Sequence, residues 1–129
     1  MNTNNKILTQ PEWYLMEPLW KHHRQTGREA VEYLKESVGW SRPTSLTMLR
    51  RMTEKGYVRC VEENGLFVYY PLIRREEAAL QETESFLNRV YNGSVSTFMS
   101  AFTKKQKLSK TEIDELYSII RQAEEELHE

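Results

Sequence analysis

One cysteine in 129 residues, Cys60, leaves no partner for an intrachain disulfide and fits a reducing cytoplasm. No apolar run approaches the roughly 20 residues that a membrane-spanning helix needs, so no membrane insertion is expected. The opening Met1-Asn2-Thr3-Asn4-Asn5 lacks the apolar stretch of a signal peptide, which also points to the cytoplasm. There is no Gly-rich phosphate loop and no nucleophile elbow, so neither an enzyme nor a cofactor is expected. His22-His23 and His128 lack the spacing of metal ligands, and no metal site is expected. Cys60, within a strand-like run, reads as a small buried residue rather than a redox switch.

Charge is balanced overall, with 18 Lys+Arg against 19 Asp+Glu, but it is unevenly placed. Between Trp40 and Cys60 lie five cations, Arg42, Arg50, Arg51, Lys55 and Arg59, against the single anion Glu54. A polyanion such as double-stranded DNA is the natural partner of such a segment. A merely solvated helix face has the same composition, so the surrounding architecture has to decide.

Thr9 can cap a first helix whose second residue is Pro11, where a missing N–H costs nothing. Trp13, Met16 and Trp20 recur at helical spacing, and Pro18 is expected to kink or shorten this helix. Thr26 with Glu29 forms a capping box for a second helix that buries Ala30, Val31 and Leu34 and stops at Gly39. A third helix runs from about Pro43 to Lys55 and ends at Gly56. Its core stripe is Ser45, Met48, Leu49 and Met52, and the opposite arc carries Pro43, Thr47, Arg50, Arg51 and Glu54, with Thr44 and Leu46 beside it. Tyr57–Glu62 and Leu66–Pro71 flank Glu63-Asn64-Gly65, a hairpin signal. Three helices followed by a two-stranded ribbon make a winged helix-turn-helix over residues 1–73.

Residues 74–129 have a different texture. A helix to about Tyr91 carries Leu80, Thr83, Leu87 and Val90 on one face, and Asn92-Gly93-Ser94 breaks it. Val95, Phe98, Met99 and Phe102 form the next stripe, Thr103–Lys107 reads as a short basic linker, and Ser109 with Glu112 caps a last helix. That helix lines up Ile113, Leu116, Tyr117, Ile120, Ala123 and Leu127. Helices this short cannot bury such stripes alone, so a second copy of the chain is the simplest partner. The fold class is therefore mainly α with a small β-hairpin: a winged helix followed by a three-helix dimerisation region.

Glu12-Trp13, Leu19-Trp20, Gly39-Trp40-Ser41, Thr44, Thr47, Lys55-Gly56, Tyr70-Pro71-Leu72, Phe86-Leu87, Gly93-Ser94, Phe102, Leu108-Ser109 and Glu112-Ile113-Asp114-Glu115-Leu116 occur in an order and spacing that resembles the penicillinase-repressor family. The resemblance runs from about Leu8 to Leu127. It implies a homodimeric repressor that binds a palindromic operator, with the third helix in the major groove. On this reading Arg42, Thr44, Leu46, Thr47, Arg50, Arg51, Lys55 and Arg59 face DNA, the arginines mainly toward phosphates. Leu87, Val90, Val95, Phe98, Met99, Phe102, Ile113, Leu116, Tyr117 and Ile120 serve dimerisation. Family members often carry a cation at the position of Leu46, and their proline falls one residue earlier than Pro43. Leu46 either touches a thymine methyl or packs against the second helix. The acidic Glu62-Glu63 argues against deep entry of the wing into a groove.

The resemblance also implies two routes of release. In the drug-resistance branch a membrane sensor protease triggers cleavage before a phenylalanine, and the corresponding bond here is Ala101–Phe102. The family pattern has Asn where this chain has Ala101, and Phe102 also completes an apolar stripe with a plain packing role. The copper-responsive branch uses a terminal Cys-x-Cys pair, which is not present, so no copper sensing of that kind is expected. The rival function is a winged-helix adaptor between proteins, for which the charge of the third helix is dispensable.

Overall fold

Thr9 opens helix α1 (Gln10–His22) through a reciprocal cap. Its hydroxyl accepts the Glu12 N–H while the Glu12 carboxylate accepts the Thr9 N–H, at 3.4 and 2.9 Å. The computed structural model describes residues 7–128; the polar opening Met1–Asn5 read from the sequence lies outside them. Pro18 does not shorten α1, which runs on to His22. The ring itself is buried, and Leu15, Met16 and Leu19 around it are anchored in the core, so packing outweighs the lost backbone bond.

Thr26 and Glu29 cap α2 (Gly27–Val38) in the same way, and Gly39 ends it at φ 74°, a left-handed conformation that glycine adopts without strain. Ser41 caps α3 (Arg42–Glu54), whose buried residues are Ser45, Met48, Leu49 and Met52, the stripe read from the sequence. Strands β2 (Val58–Glu63) and β3 (Leu66–Pro71) pair antiparallel around Asn64-Gly65. Asn64 at φ 52° and Gly65 at φ 80° give the two left-handed residues of a tight hairpin turn whose twist matches the strands.

The ribbon is not two-stranded. A short strand β1 (Gln25–Thr26), between α1 and α2, pairs with β3 to give the order β1-β3-β2. Gln25 lies opposite Tyr69 and Thr26 opposite Val68. Two residues carry no periodic signal, so this strand is visible only through its distant partner. Cys60 is exposed, contrary to the buried role expected of it, while its cross-strand neighbour Tyr69 packs against the core.

Leu15, Met16 and Leu19 meet Leu34, Met48, Leu49, Met52, Val58 and Ile73 in one core, flanked by Trp13, Trp20 and Trp40. Each buried Leu or Met contributes about 1.5–3 kcal/mol relative to exposure. The chain divides into two compact units, residues 1–85 and 86–129, and the division falls within α4 (Arg75–Tyr91). The sequence places its boundary at 73/74, ahead of that helix. The first turns of α4 join the winged-helix core because Ala78 is packed into it.

In the second unit, Ser94 caps α5 (Val95–Lys105) and Ser109 with Glu112 caps α6 (Lys110–Leu127). Helix α5 takes in Thr103, Lys104 and Lys105, so the expected basic linker shrinks to the residues that follow. Phe86, Tyr91, Phe98 and Phe102 form a chain of ring contacts at 5.5–5.9 Å. Neither α5 nor α6 has a fully buried residue.

Candidate nucleic-acid interface

Helix α3 turns one stripe inward and presents most of its other residues to solvent. Arg42, Thr44, Arg50 and Arg51 are exposed, Thr47 is half-buried, and Leu46 keeps 37% of its surface accessible. Leu46 is thus partly covered by its neighbours and partly open to solvent on α3. Pro43, Thr44, Thr47, Met48 and Arg51 surround a shallow, open depression of about 310 Å³.

The entry of α3 is prepared for anions. Its first turn holds no acidic residue and begins with Arg42, so the positive end of the helix dipole and a guanidinium coincide. The Ser41 hydroxyl donates to the Thr44 hydroxyl at 3.1 Å and accepts the Thr44 N–H, which leaves the Thr44 proton to donate outward. Arg50 lies 4.0 Å from Glu54, an exposed pair of little energetic weight. Arg51 rests against the Met48 sulfur at 3.9 Å.

The two remaining cations are differently engaged. The Arg59 guanidinium lies 4.9 Å over the ring of Tyr70, which steadies it on the wing. Lys55 reaches from the end of α3 to the buried carboxylate of Glu12, 2.5 Å away. Burial pushes the Glu12 carboxyl up, but the hydrogen bonds and charge of Lys55 together with those of Thr9 more than reverse this and hold it below its ordinary value.

One residue unflagged in the sequence, Arg24, shapes the wing. Arg24 binds Glu63 at 3.3 Å, and the Tyr70 hydroxyl donates to the same carboxylate. The Tyr70 and Glu63 partners push the Arg24 guanidinium pKa up. Of the wing's acidic pair, Glu63 is thereby partnered and Glu62 stands exposed. Arg24 precedes β1 and meets Glu63 across 39 residues of sequence, so no local pattern announces it.

In the second unit the residues read as a dimer face stay largely uncovered. Val90, Val95, Phe102, Ile113, Tyr117 and Ile120 are exposed, whereas Leu87, Phe98, Met99 and Leu116 are half-buried. Ile119, absent from the sequence-derived stripe, is exposed beside them and lines the same apolar groove of about 430 Å³. The Ala101–Phe102 bond lies inside α5, with Phe102 stacked on Phe98 and 43% exposed.

The family model of the penicillinase repressor matches residues 8–122. The chain belongs to the penicillinase repressor family. It is 34% identical over 115 residues to the penicillinase repressor of Bacillus licheniformis, covering 89% of this chain and 90% of that protein. It is 27% identical over 120 residues to the methicillin resistance regulatory protein MecI of Staphylococcus aureus strain N315, covering 93% and 98%. The solution structure of the DNA-binding domain of the repressor BlaI matches with a TM-score of 0.50 and 31% identity, over 54% of this chain and 85% of that one. The monomeric form of Bacillus licheniformis BlaI, solved in complex with the blaP half-operator, matches with a TM-score of 0.51 and 30% identity, over 56% and 88%. The winged-helix architecture read from the sequence is thus shared with other penicillinase repressors.

Proposed function

We propose that the chain is a homodimeric, sequence-specific transcriptional repressor that acts in the cytoplasm on a palindromic operator. The observation that carries this reading is α3, whose inward stripe is buried while Arg42, Thr44, Leu46, Arg50 and Arg51 are exposed, with Thr47 half-buried beside them, on a winged helix. A helix of this form seats in the major groove, with its threonines and Leu46 at base edges and its arginines at phosphates. Arg59 on the wing extends the phosphate contacts. The relative solved with a half-operator supports DNA as the partner.

Dimerisation falls to residues 74–129. The apolar faces of α5 and α6, without a buried residue between them, need a partner surface of like chemistry, and a two-fold copy supplies it. Release from DNA by a membrane sensor protease acting at Ala101–Phe102 is the route the family resemblance offers. Cutting there requires local opening of α5, since an extended backbone is needed at a scissile bond.

Selection of duplexes from a random pool at two salt concentrations tests the reading. An enriched palindrome whose affinity falls with salt is the expected outcome, and Arg50→Ala or Arg51→Ala then lowers affinity across sequences with a shallower salt slope. A folded chain that enriches nothing belongs to the adaptor class instead.

A further inference from the structure

Lys55 sits where α3 ends and the wing begins. Its backbone N–H donates to the Arg51 carbonyl at 3.0 Å, Gly56 follows in the left-handed region, and Val58 starts β2. The side chain turns away from the helix axis to the other end of the domain's sequence, where its ammonium meets Glu12 Oε2 at 2.5 Å. The other carboxylate oxygen, Oε1, is already taken by the Thr9 N–H at 2.9 Å. Glu12 is 3% exposed, so these protein donors rather than solvent answer its charge. Moving Lys55 onto a phosphate would strand a buried carboxylate, the costlier arrangement.

We propose that Lys55 and Glu12 are a positioning pair that fixes the end of α3 and the root of the wing to the start of α1, and that Lys55 serves DNA recognition in this way rather than as a phosphate contact. The proposal rests on the DNA-binding reading above. Both DNA-facing elements leave from this joint: α3 ends at Glu54, and Tyr57 accepts the Leu72 N–H at 2.8 Å where the wing returns. A loosened joint changes the angle between α3 and the wing without removing any group that touches DNA.

The two readings of Lys55 predict opposite signs for Glu12→Gln. If Lys55 contacts phosphate, losing the Glu12 anion frees the ammonium and tightens binding. If the pair positions α3, binding weakens, about tenfold by analogy with the loss of a group that orients a metal ligand. Affinity of the full-length chain is measured by anisotropy of a labelled duplex enriched with the wild type, over a series of salt concentrations, alongside thermal unfolding. Lys55→Gln is expected to weaken binding with an unchanged salt slope, whereas Arg51→Gln makes the slope shallower by about 1. The double variant with both Gln substitutions is expected to bind no worse than the weaker single one, because the two changes break one interaction. Lys55→Arg, which keeps the charge within reach of Glu12, is expected to restore affinity to any extent that Lys55→Gln loses it. Tighter binding by Glu12→Gln, or a slope reduced by Lys55→Gln as by Arg51→Gln, overturns the proposal while leaving the DNA-binding reading intact. A wild type with no salt-dependent affinity for any duplex overturns both.

Discussion

The indole N–H of Trp20 donates to the carbonyl of Ile73 at 2.8 Å, across 53 residues of sequence. Trp20 closes α1 and Ile73 follows the wing, so one side chain joins the first helix to the chain's exit into α4. Arg75 reinforces the joint by pairing with Glu17 at 3.2 Å and lying over the rings of Trp13 and Trp20.

Trp20→Phe keeps most of the apolar volume but deletes the donor. It is expected to cost about 1–3 kcal/mol, as the Ile73 carbonyl loses its partner. Urea unfolding at fixed protein concentration measures this, and an unchanged midpoint would show that water replaces the indole.

Ser45 presents the opposite case. Its hydroxyl oxygen is buried in the α3 stripe and has no hydrogen-bond partner among the described residues. Ser45→Ala removes an uncompensated polar atom and raises helix propensity, so a gain of about 0.5–1 kcal/mol is expected, read as a higher unfolding temperature. A loss of stability would mean that the hydroxyl is paired in solution.

Stability should fall in acid partly through Glu12. Its carboxyl is held below the ordinary value of 4.5, with burial opposing and Lys55 and Thr9 more than offsetting it. A depressed folded pKa contributes stability that is complete above about 4.5 and is lost as pH falls through the lower folded value. Unfolding midpoints between pH 3 and 7 therefore drop less steeply in Glu12→Gln than in the wild type.

Fragment design follows from Ala78. Residues 1–85 retain it in the winged-helix core, while residues 1–73 do not. The longer fragment is expected to unfold at the higher temperature, and equal melting of the two would remove α4 from the stable unit.

The apolar groove of the second unit gives a sharper change. Ile120→Asp places a charge among Val95, Met99, Ile113 and Leu116. Sedimentation at micromolar concentration should report a monomer, with operator affinity reduced through lost avidity. Dimers at that concentration would place the interface elsewhere.

Local signals were the legible ones. Thr9, Thr26 and Ser109 cap their helices, Asn64-Gly65 turns the hairpin, and the α3 stripe is buried residue for residue. Each depends on neighbours within a few positions. The features that escaped depend on distant partners: β1 exists through Tyr69 and Val68, Arg24 finds Glu63, and Lys55 finds Glu12. Lys55 shows the limit best, since spacing puts it with the basic residues of α3 and only the fold reveals the carboxylate that holds it. Ile119 was missed because an ideal helical stripe is narrower than the face an uncovered helix exposes.

Among the described residues, the strand order β1-β3-β2 leaves the outer side of β2 without a strand partner. Such an edge is an open template onto which another chain's strand can hydrogen-bond. Here it carries one cation, Arg59, and two adjacent anions, Glu62 and Glu63, and the turn at Asn64-Gly65 ends it after six residues. Charges on this edge therefore discourage the wing of one copy from pairing onto the wing of another.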